Sequence, residues 1–316
     1  MIVTILLFAL GVGLLFVGAE VLVSNASGLA LRIGIRPLII GFTVIAMGTS
    51  SPELAVSLLS AIKGTKDIAL GNIIGSNIAN IGLVIGIAAL IRPLTIQINT
   101  IWRGMPFLIF ATIVFYVLSL NKVIGFIDGL VLLCLFVIFI IYMLRMAQRD
   151  RKKDKEFFDG IGTSKKVKPV FIEIILILIG LAGLIGGSTL MVNSAKVIAL
   201  HFGISEIVIG ITLVALGTSL PELAISAVGA LKGEVDLAVG NAIGSNLFNI
   251  LFVIAIVALF FPIPVESGLL KFDYLFMLGL SIIFLPMMIF RFKITRLEGL
   301  ILVVLYFVFI WLTFTH

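Results

Sequence analysis

The chain is poor in charge and nearly devoid of sulfur and imidazole. Only 12% of its 316 residues are Asp, Glu, Lys or Arg, against 61% hydrophobic, and the mean hydropathy is +1.31. A soluble domain is roughly a quarter charged. A solvated surface around a single core is therefore excluded, and intrinsic disorder with it. One cysteine, Cys134, leaves no intrachain disulfide. The two histidines, His201 and His316, form no H-E-x-x-H, and the chain carries no recognisable chemistry for an intramembrane enzyme. Lys and Arg outnumber Asp and Glu by 22 to 16. In a soluble protein that excess would point to nucleic acid, whereas in a membrane protein it reports orientation.

A helix that crosses a bilayer needs about 20 mostly apolar residues. The hydropathy pattern predicts ten such spans, over 2–30, 37–62, 68–91, 103–120, 124–146, 169–200, 206–231, 237–261, 270–290 and 297–315. The first lacks a basic leader and is too long for a signal peptide, so it reads as a retained span. The only long polar stretch, 147–168, separates an N-terminal unit of five spans, 1–146, from a C-terminal unit of five, 169–316. With this linker placed in the cytoplasm, alternation assigns 17 of the 22 basic residues to the inside and four to the outside; Lys196 lies near a span end. That is a strong positive-inside bias. It predicts a multi-pass protein of the cell membrane with both termini extracellular. The basic balance then reports topology, and neither nucleic acid nor an obligatory protein partner is expected. The run RMAQRDRKKDKE reads as a solvated linker, with contact to anionic lipid as the other reading.

The two halves repeat each other at a constant offset of 169. GFTVIAMGTSSPELAVS at 41–57 aligns with GITLVALGTSLPELAIS at 210–226, and GNIIGSNIANI at 71–81 with GNAIGSNLFNI at 240–250. From 34 to 86 against 203 to 255 there is no gap, and 29 of 53 positions are identical, polar ones included. An offset of five helices is odd, so the second copy enters the membrane upside down. The expected fold is an all-α integral membrane protein, ten transmembrane helices arranged as two five-helix inverted-topology repeats. Secondary transporters use this architecture, with their sites near the midplane at the repeat interface. A channel built on inverted repeats is the other reading.

Glu53 and Glu222 fall near the middle of their spans, where an ionised carboxylate is costly unless compensated. The duplicated spans 37–62, 68–91, 206–231 and 237–261 contain no Lys, Arg or His. The carboxylates must therefore be protonated or face a bound cation. Thr49, Ser50 and Glu53 share one helix face at i, i+3 and i+4 spacing, and Thr218, Ser219 and Glu222 repeat the pattern. Pro52 and Pro221 have no N–H to offer. They are expected to free the carbonyls of Gly48 and Gly217 and to loosen those around Ala46 and Ala215. Asn72, Ser76 and Asn80 form a polar stripe, mirrored by Asn241, Ser245 and Asn249; Asn72 and Asn241, near the span entrances, also fit helix-to-helix hydrogen bonding. Gly71 with Gly75, and Gly240 with Gly244, are small-residue pairs that permit close helix approach. Hard oxygen ligands of this kind suit calcium, sodium or magnesium rather than zinc or copper. Magnesium dehydrates reluctantly, whereas calcium takes six to eight oxygens in a flexible shell. Two negative charges balance one calcium ion or two sodium ions.

GTSSPE and GTSLPE, each followed by GNxxGSNxxN, closely resemble the two alpha repeats of sodium/calcium exchangers in the calcium/cation antiporter superfamily. The chain looks like a compact prokaryotic member without a large regulatory domain. The resemblance implies that Glu53 and Glu222 are the central metal ligands, with oxygens from Thr49, Ser50, Thr218, Ser219, Ser76, Asn80, Ser245 and Asn249 and backbone carbonyls near Ala46 and Ala215. It implies antiport of several sodium ions for one calcium ion by alternating access, electrogenic, with the ions as substrates and no cofactor. One departure stands out: some relatives, potassium-dependent ones among them, carry Asp at the position of Asn249. A calcium/proton antiporter of the same superfamily is the alternative, in which protons neutralise the glutamates. The many hydroxyls favour sodium, since a purely protonatable site needs few oxygen ligands. Spans one and six are long, contain glycine and are poor in candidate ligands, which suggests a gating pair that slides across a fixed core.

Overall fold

Inside a bilayer each backbone N–H and C=O has to be satisfied within the protein, which leaves helices as the structure for these apolar runs. A computed structural model describes residues 1–96, 98–153, 169–202 and 217–315. The described residues are all-α apart from two tiny strand pairs. In chain order the elements begin with α1 (Ile2–Arg32), α2 (Pro37–Ile40), the π turn Gly41–Ile45, α3 (Ala46–Thr49) and α4 (Ser51–Ile62). Then come α5 (Lys66–Ala79), the π turn Asn80–Ile85, α6 (Gly86–Ile91), β1 (Leu94–Thr95), α7 (Ile98–Ser119), β2 (Val123–Ile124) and α8 (Phe126–Lys153).

The second half holds α9 (Val170–His201), α10 (Leu220–Lys232), α11 (Val235–Phe248), the π turn Asn249–Val253 and α12 (Ile254–Phe260). It closes with β3 (Ile263–Pro264), α13 (Ser267–Lys271), α14 (Asp273–Ile289), β4 (Lys293–Ile294) and α15 (Arg296–Thr315).

Among the described residues, eight helices are long and apolar enough to cross a membrane, and the pair Pro37–Thr49 with Ser51–Ile62, bent by 41°, makes a ninth span. Of the tenth, expected over 206–231, α10 and the residues just before it lie among the described residues. The expected span over 103–120 begins earlier, at Ile98, and the one over 124–146 runs on to Lys153, so the polar stretch starts as helix.

The strand pairs show how the halves interlock. β1 pairs antiparallel with β4, Leu94 opposite Ile294, and β2 with β3, Ile124 opposite Ile263. At the offset of 169, β1 maps onto β3 and β2 falls one residue short of β4, so each bridge joins opposite halves and the two bridges correspond apart from that one-residue shift. Each also joins two loops that alternation assigns to one side of the membrane. Ion pairs group the loops in the same way. Asp150 at the end of α8 takes both Arg103 guanidinium nitrogens at 2.5 and 2.8 Å and lies 3.5 Å from Arg36. Arg32 at the end of α1 pairs with Glu173 of α9 at 3.6 Å.

The spans formed by α5 to α6 and by α11 to α12 are the central ones: 78% of each is buried, against 22–39% for the other long helices. The close approach expected from Gly240 and Gly244 is seen on α11. A Cβ on Gly240 would stand 2.8 Å from the Leu38 carbonyl, and one on Gly244 2.7 Å from that of Phe42. The long pair α1 and α9 is zipped backbone to backbone. A Cβ on Gly18 would lie 2.9 Å from the Gly180 carbonyl, and one on Gly187 2.8 Å from that of Gly11. At 31 and 32 residues, each helix is about 46–48 Å long, well over the roughly 30 Å hydrocarbon core. Both must tilt or project beyond it.

Candidate ion-binding site

The proline effect is sharper than a kink. Pro52 occupies the first turn of a new helix, α4, after a break at Ser50, and Pro221 does the same for α10 after Ser219. Proline tolerates the start of a helix because the N–H it lacks there has no partner in any case. Glu53 and Glu222 thereby sit in the first turns of α4 and α10, where the helix dipole favours negative charge. The broken spans therefore bring helix N-termini and carboxylates together at the middle of the protein.

Both glutamates are wholly buried, and the charge of Glu222 bears on Glu53. Among the described residues, no Lys, Arg or His pairs with either one; the ion pairs lie elsewhere. Hydroxyls from both repeats serve them. Glu222 Oε1 accepts from Ser50 Oγ at 3.1 Å and from Ser245 Oγ at 3.2 Å. The hydroxyls of Thr218 and Ser76, counterparts of Thr49 and Ser245, face Glu53, yet neither Glu53 oxygen receives a well-formed hydrogen bond. Thr218 and Ser76 are 3.4 Å from each other, as are Thr49 and Ser245.

The structure brings Thr49, Ser50, Glu53, Ser76, Asn80, Thr218, Ser219, Glu222, Ser245 and Asn249 into the buried interior. Asn80 and Asn249 each open a π turn, at mirror-related positions; such turns recur at functional sites. Among the described residues, several buried oxygens have no protein partner: both of Glu53, Glu222 Oε2, Asn80 Oδ1, Asn249 Oδ1 and Ser219 Oγ. Buried polar atoms are normally hydrogen-bonded, and a concentration of unmet oxygens is what a set of cation ligands presents. The Ala46 carbonyl accepts the Ser50 N–H at 3.0 Å and faces the Thr49 hydroxyl at 3.4 Å. Ala215 lies outside the described residues.

Two expectations are refined. The Gly48 carbonyl that Pro52 leaves without its helical donor is taken by Ser51 Oγ at 2.7 Å. The Gly217 carbonyl is taken by Ser188 Oγ of α9 at 2.6 Å. The sequence reading had no signal for Ser188, whose mirror position holds Ala19. Asn72 and Asn241 do make interhelical bonds. Asn72 Nδ2 donates to Ser57 Oγ at 3.2 Å, and Thr49 and Thr218 donate to Asn241 and Asn72 at 3.2 and 3.4 Å. Asn77 and Asn246 lie outside the polar stripes legible in the sequence, although the repeat carries their signal, since both are asparagine at the offset of 169. Asn246 accepts from Asn80 Nδ2 at 3.0 Å and donates to the Asn77 carbonyl at 3.1 Å.

Comparison with known proteins gives a consistent result. A family model described as sodium/calcium exchanger protein matches residues 3–145 and 172–315. The chain is 30% identical over 345 residues to the sodium/calcium exchanger MaX1 of Methanosarcina acetivorans, covering 99% of each. It is 38% identical over 277 residues to the inner membrane protein YrbG of Escherichia coli strain K12, covering 86% of this chain and 85% of that one. Among solved structures, the sodium-calcium exchanger NCX_Mj, soaked with sodium and calcium, superposes with a TM-score of 0.84 at 33% identity and 98% coverage of both chains. With both repeats matched and the whole length superposed, this chain belongs to the sodium/calcium exchanger family of the calcium/cation antiporter superfamily.

Proposed function

We propose that the protein is a sodium/calcium antiporter of the cell membrane that exchanges several sodium ions for one calcium ion by alternating access, electrogenically. The observation that carries this reading is the pair of buried glutamates. Among the described residues they have no protein cation, and they are ringed by hydroxyl and amide oxygens, several of them unmet. In this reading Glu53 and Glu222 are the central ligands. Thr49, Ser50, Ser76, Asn80, Thr218, Ser219, Ser245 and Asn249 supply further oxygens, and carbonyls near Ala46 and Ala215 complete the set. Residues 1–146 and 169–316 act as the two inverted units, joined by a cytoplasmic linker at 147–168, with both termini outside.

The same geometry supports obligatory exchange. An empty site would carry two uncompensated carboxylates through an occluded, low-dielectric state, at a cost of several kcal/mol. Only cation-loaded forms cross readily, so the two fluxes are coupled. The backbone-to-backbone zipper of α1 and α9 supports their moving as one body across the fixed core.

The test is calcium uptake into proteoliposomes under an imposed sodium gradient at constant pH, with the membrane potential set independently. Uptake should require the gradient and respond to the potential. Uptake driven equally well by a pH gradient without sodium would instead establish the proton antiporter.

A further inference from the structure

The amides around Asn80 form a directional chain. Asn80 Nδ2 donates to Asn246 Oδ1 at 3.0 Å, Asn246 Nδ2 donates to the Asn77 main-chain carbonyl at 3.1 Å, and Asn80 Oδ1 is left with no protein partner. All three residues are buried, Asn80 completely. A side-chain amide has one end that only accepts and one that only donates, and a cation can be met only by the oxygen. Whatever holds Nδ2 therefore decides whether Asn80 offers the ion an oxygen or repels it with an NH₂.

Asn246 cannot turn over without loss at both of its contacts. Reversed, its NH₂ would face the Asn80 NH₂, and its oxygen would face the Asn77 carbonyl. Donor would meet donor and acceptor would meet acceptor, in a site without solvent to compensate. The direction of the chain is thus fixed by a main-chain carbonyl of the opposite repeat, a group that cannot be reoriented.

The mirror arrangement is not made. Asn77, the counterpart of Asn246, turns its Nδ2 to the Ile73 carbonyl along its own helix at 2.8 Å. Asn249, the counterpart of Asn80, has no partner at either amide atom among the described residues. One amide at the site is held and the other is not, although all four residues are asparagine in both halves.

We propose that Asn246 is a positioning residue for the transported cation, holding the Asn80 amide with its oxygen toward the ion. The proposal rests on reading Asn80 as a ligand, and the test separates the two claims. Calcium affinity is measured by titration calorimetry on the purified full chain in detergent, for Asn80→Ala, Asn246→Leu and the double variant. Asn246→Leu should weaken calcium binding by about tenfold, the scale of losing one buried hydrogen bond. Asn80→Ala should weaken it at least as much. The double variant should match Asn80→Ala within about twofold, because Asn246 has nothing left to position. A merely structural role would not produce that convergence.

An equal further loss when Asn246→Leu is added to Asn80→Ala overturns the positioning role. So does an unchanged affinity for Asn246→Leu where Asn80→Ala is impaired. Unchanged affinity for Asn80→Ala removes Asn80 from the ligand set and the proposal with it. If Asn246→Leu does not give a monodisperse protein with a cooperative melt, Asn246→Ser carries the same expectations, since its shorter side chain cannot span from Asn80 to the Asn77 carbonyl.

Discussion

Replacing either central glutamate by glutamine should abolish tight calcium binding while leaving the fold intact. Glu222 shows why. Its Oε1 accepts from Ser50 and Ser245 at 3.1 and 3.2 Å, and a glutamine oxygen can keep both bonds. What changes is Oε2, which has no protein partner; it becomes an NH₂, and one of two negative charges disappears. Removing one member of a buried, compensated charge pair costs about 3–5 kcal/mol. At roughly 1.4 kcal/mol per decade, calcium Kd should rise by about two to three and a half decades. The ion-free protein loses only repulsion between its two carboxylates, so its melting temperature should not fall. The stabilisation that millimolar calcium gives the unmodified protein should shrink in step with the lost affinity.

The assay is calcium titration and thermal melting of Glu53→Gln and Glu222→Gln in detergent, with sodium-driven flux in liposomes. Carboxylates must be ionised to ligate metal, so calcium affinity should weaken as pH falls. Each variant should show a shallower dependence, having one proton fewer to displace. A variant that binds calcium within threefold of the unmodified protein, with the same pH slope, would remove that carboxylate from the site and refute the argument.

Topology can be read by cysteine labelling after Cys134, which is exposed, has been replaced. A cysteine at Gly160 should react only from the cytoplasm, and cysteines at Lys122 and His316 only from outside; labelling of positions 122 and 160 from one side would sink the inversion. Read as a ligand, Asn249 offers an amide oxygen without a titratable charge, so exchange should need no potassium, measured as unchanged sodium-dependent calcium flux with choline in its place. Asn249→Asp should make that flux more pH-dependent, because a third carboxylate beside two others is held partly protonated. Gly187→Leu should push α1 and α9 apart, since even its Cβ would lie 2.8 Å from backbone atoms of Gly11 and Leu15. Overpacking of this kind costs about 1–3 kcal/mol, and transport should fall more than calcium affinity; equal losses in both would argue against the pair acting as the moving body.

Much of this molecule is written in the linear sequence. Membrane insertion follows from composition, because too few charges remain to solvate a surface. The inverted repeat follows from the constant offset and the odd number of spans it covers. Glu53 and Glu222 stand out because a carboxylate in an apolar run without a basic neighbour must find compensation somewhere. The tertiary structure decided what faces what. Helical periodicity places Thr49, Ser50 and Glu53 on one face of a span, but it cannot say how that span is rotated against the opposite repeat. Only the fold shows that Ser50 serves Glu222 and that Thr218 faces Glu53. Whether a proline kinks a helix or begins a new one also depends on whether the freed carbonyls find partners elsewhere. For Gly48 that partner, Ser51, is local, whereas for Gly217 it is Ser188, on a helix that the sequence marked as poor in polar function. The direction of the Asn80 amide is set by Asn246 and the Asn77 carbonyl across the repeat interface. Contacts of this kind exist only once two inverted halves, each incomplete alone, have closed on one another.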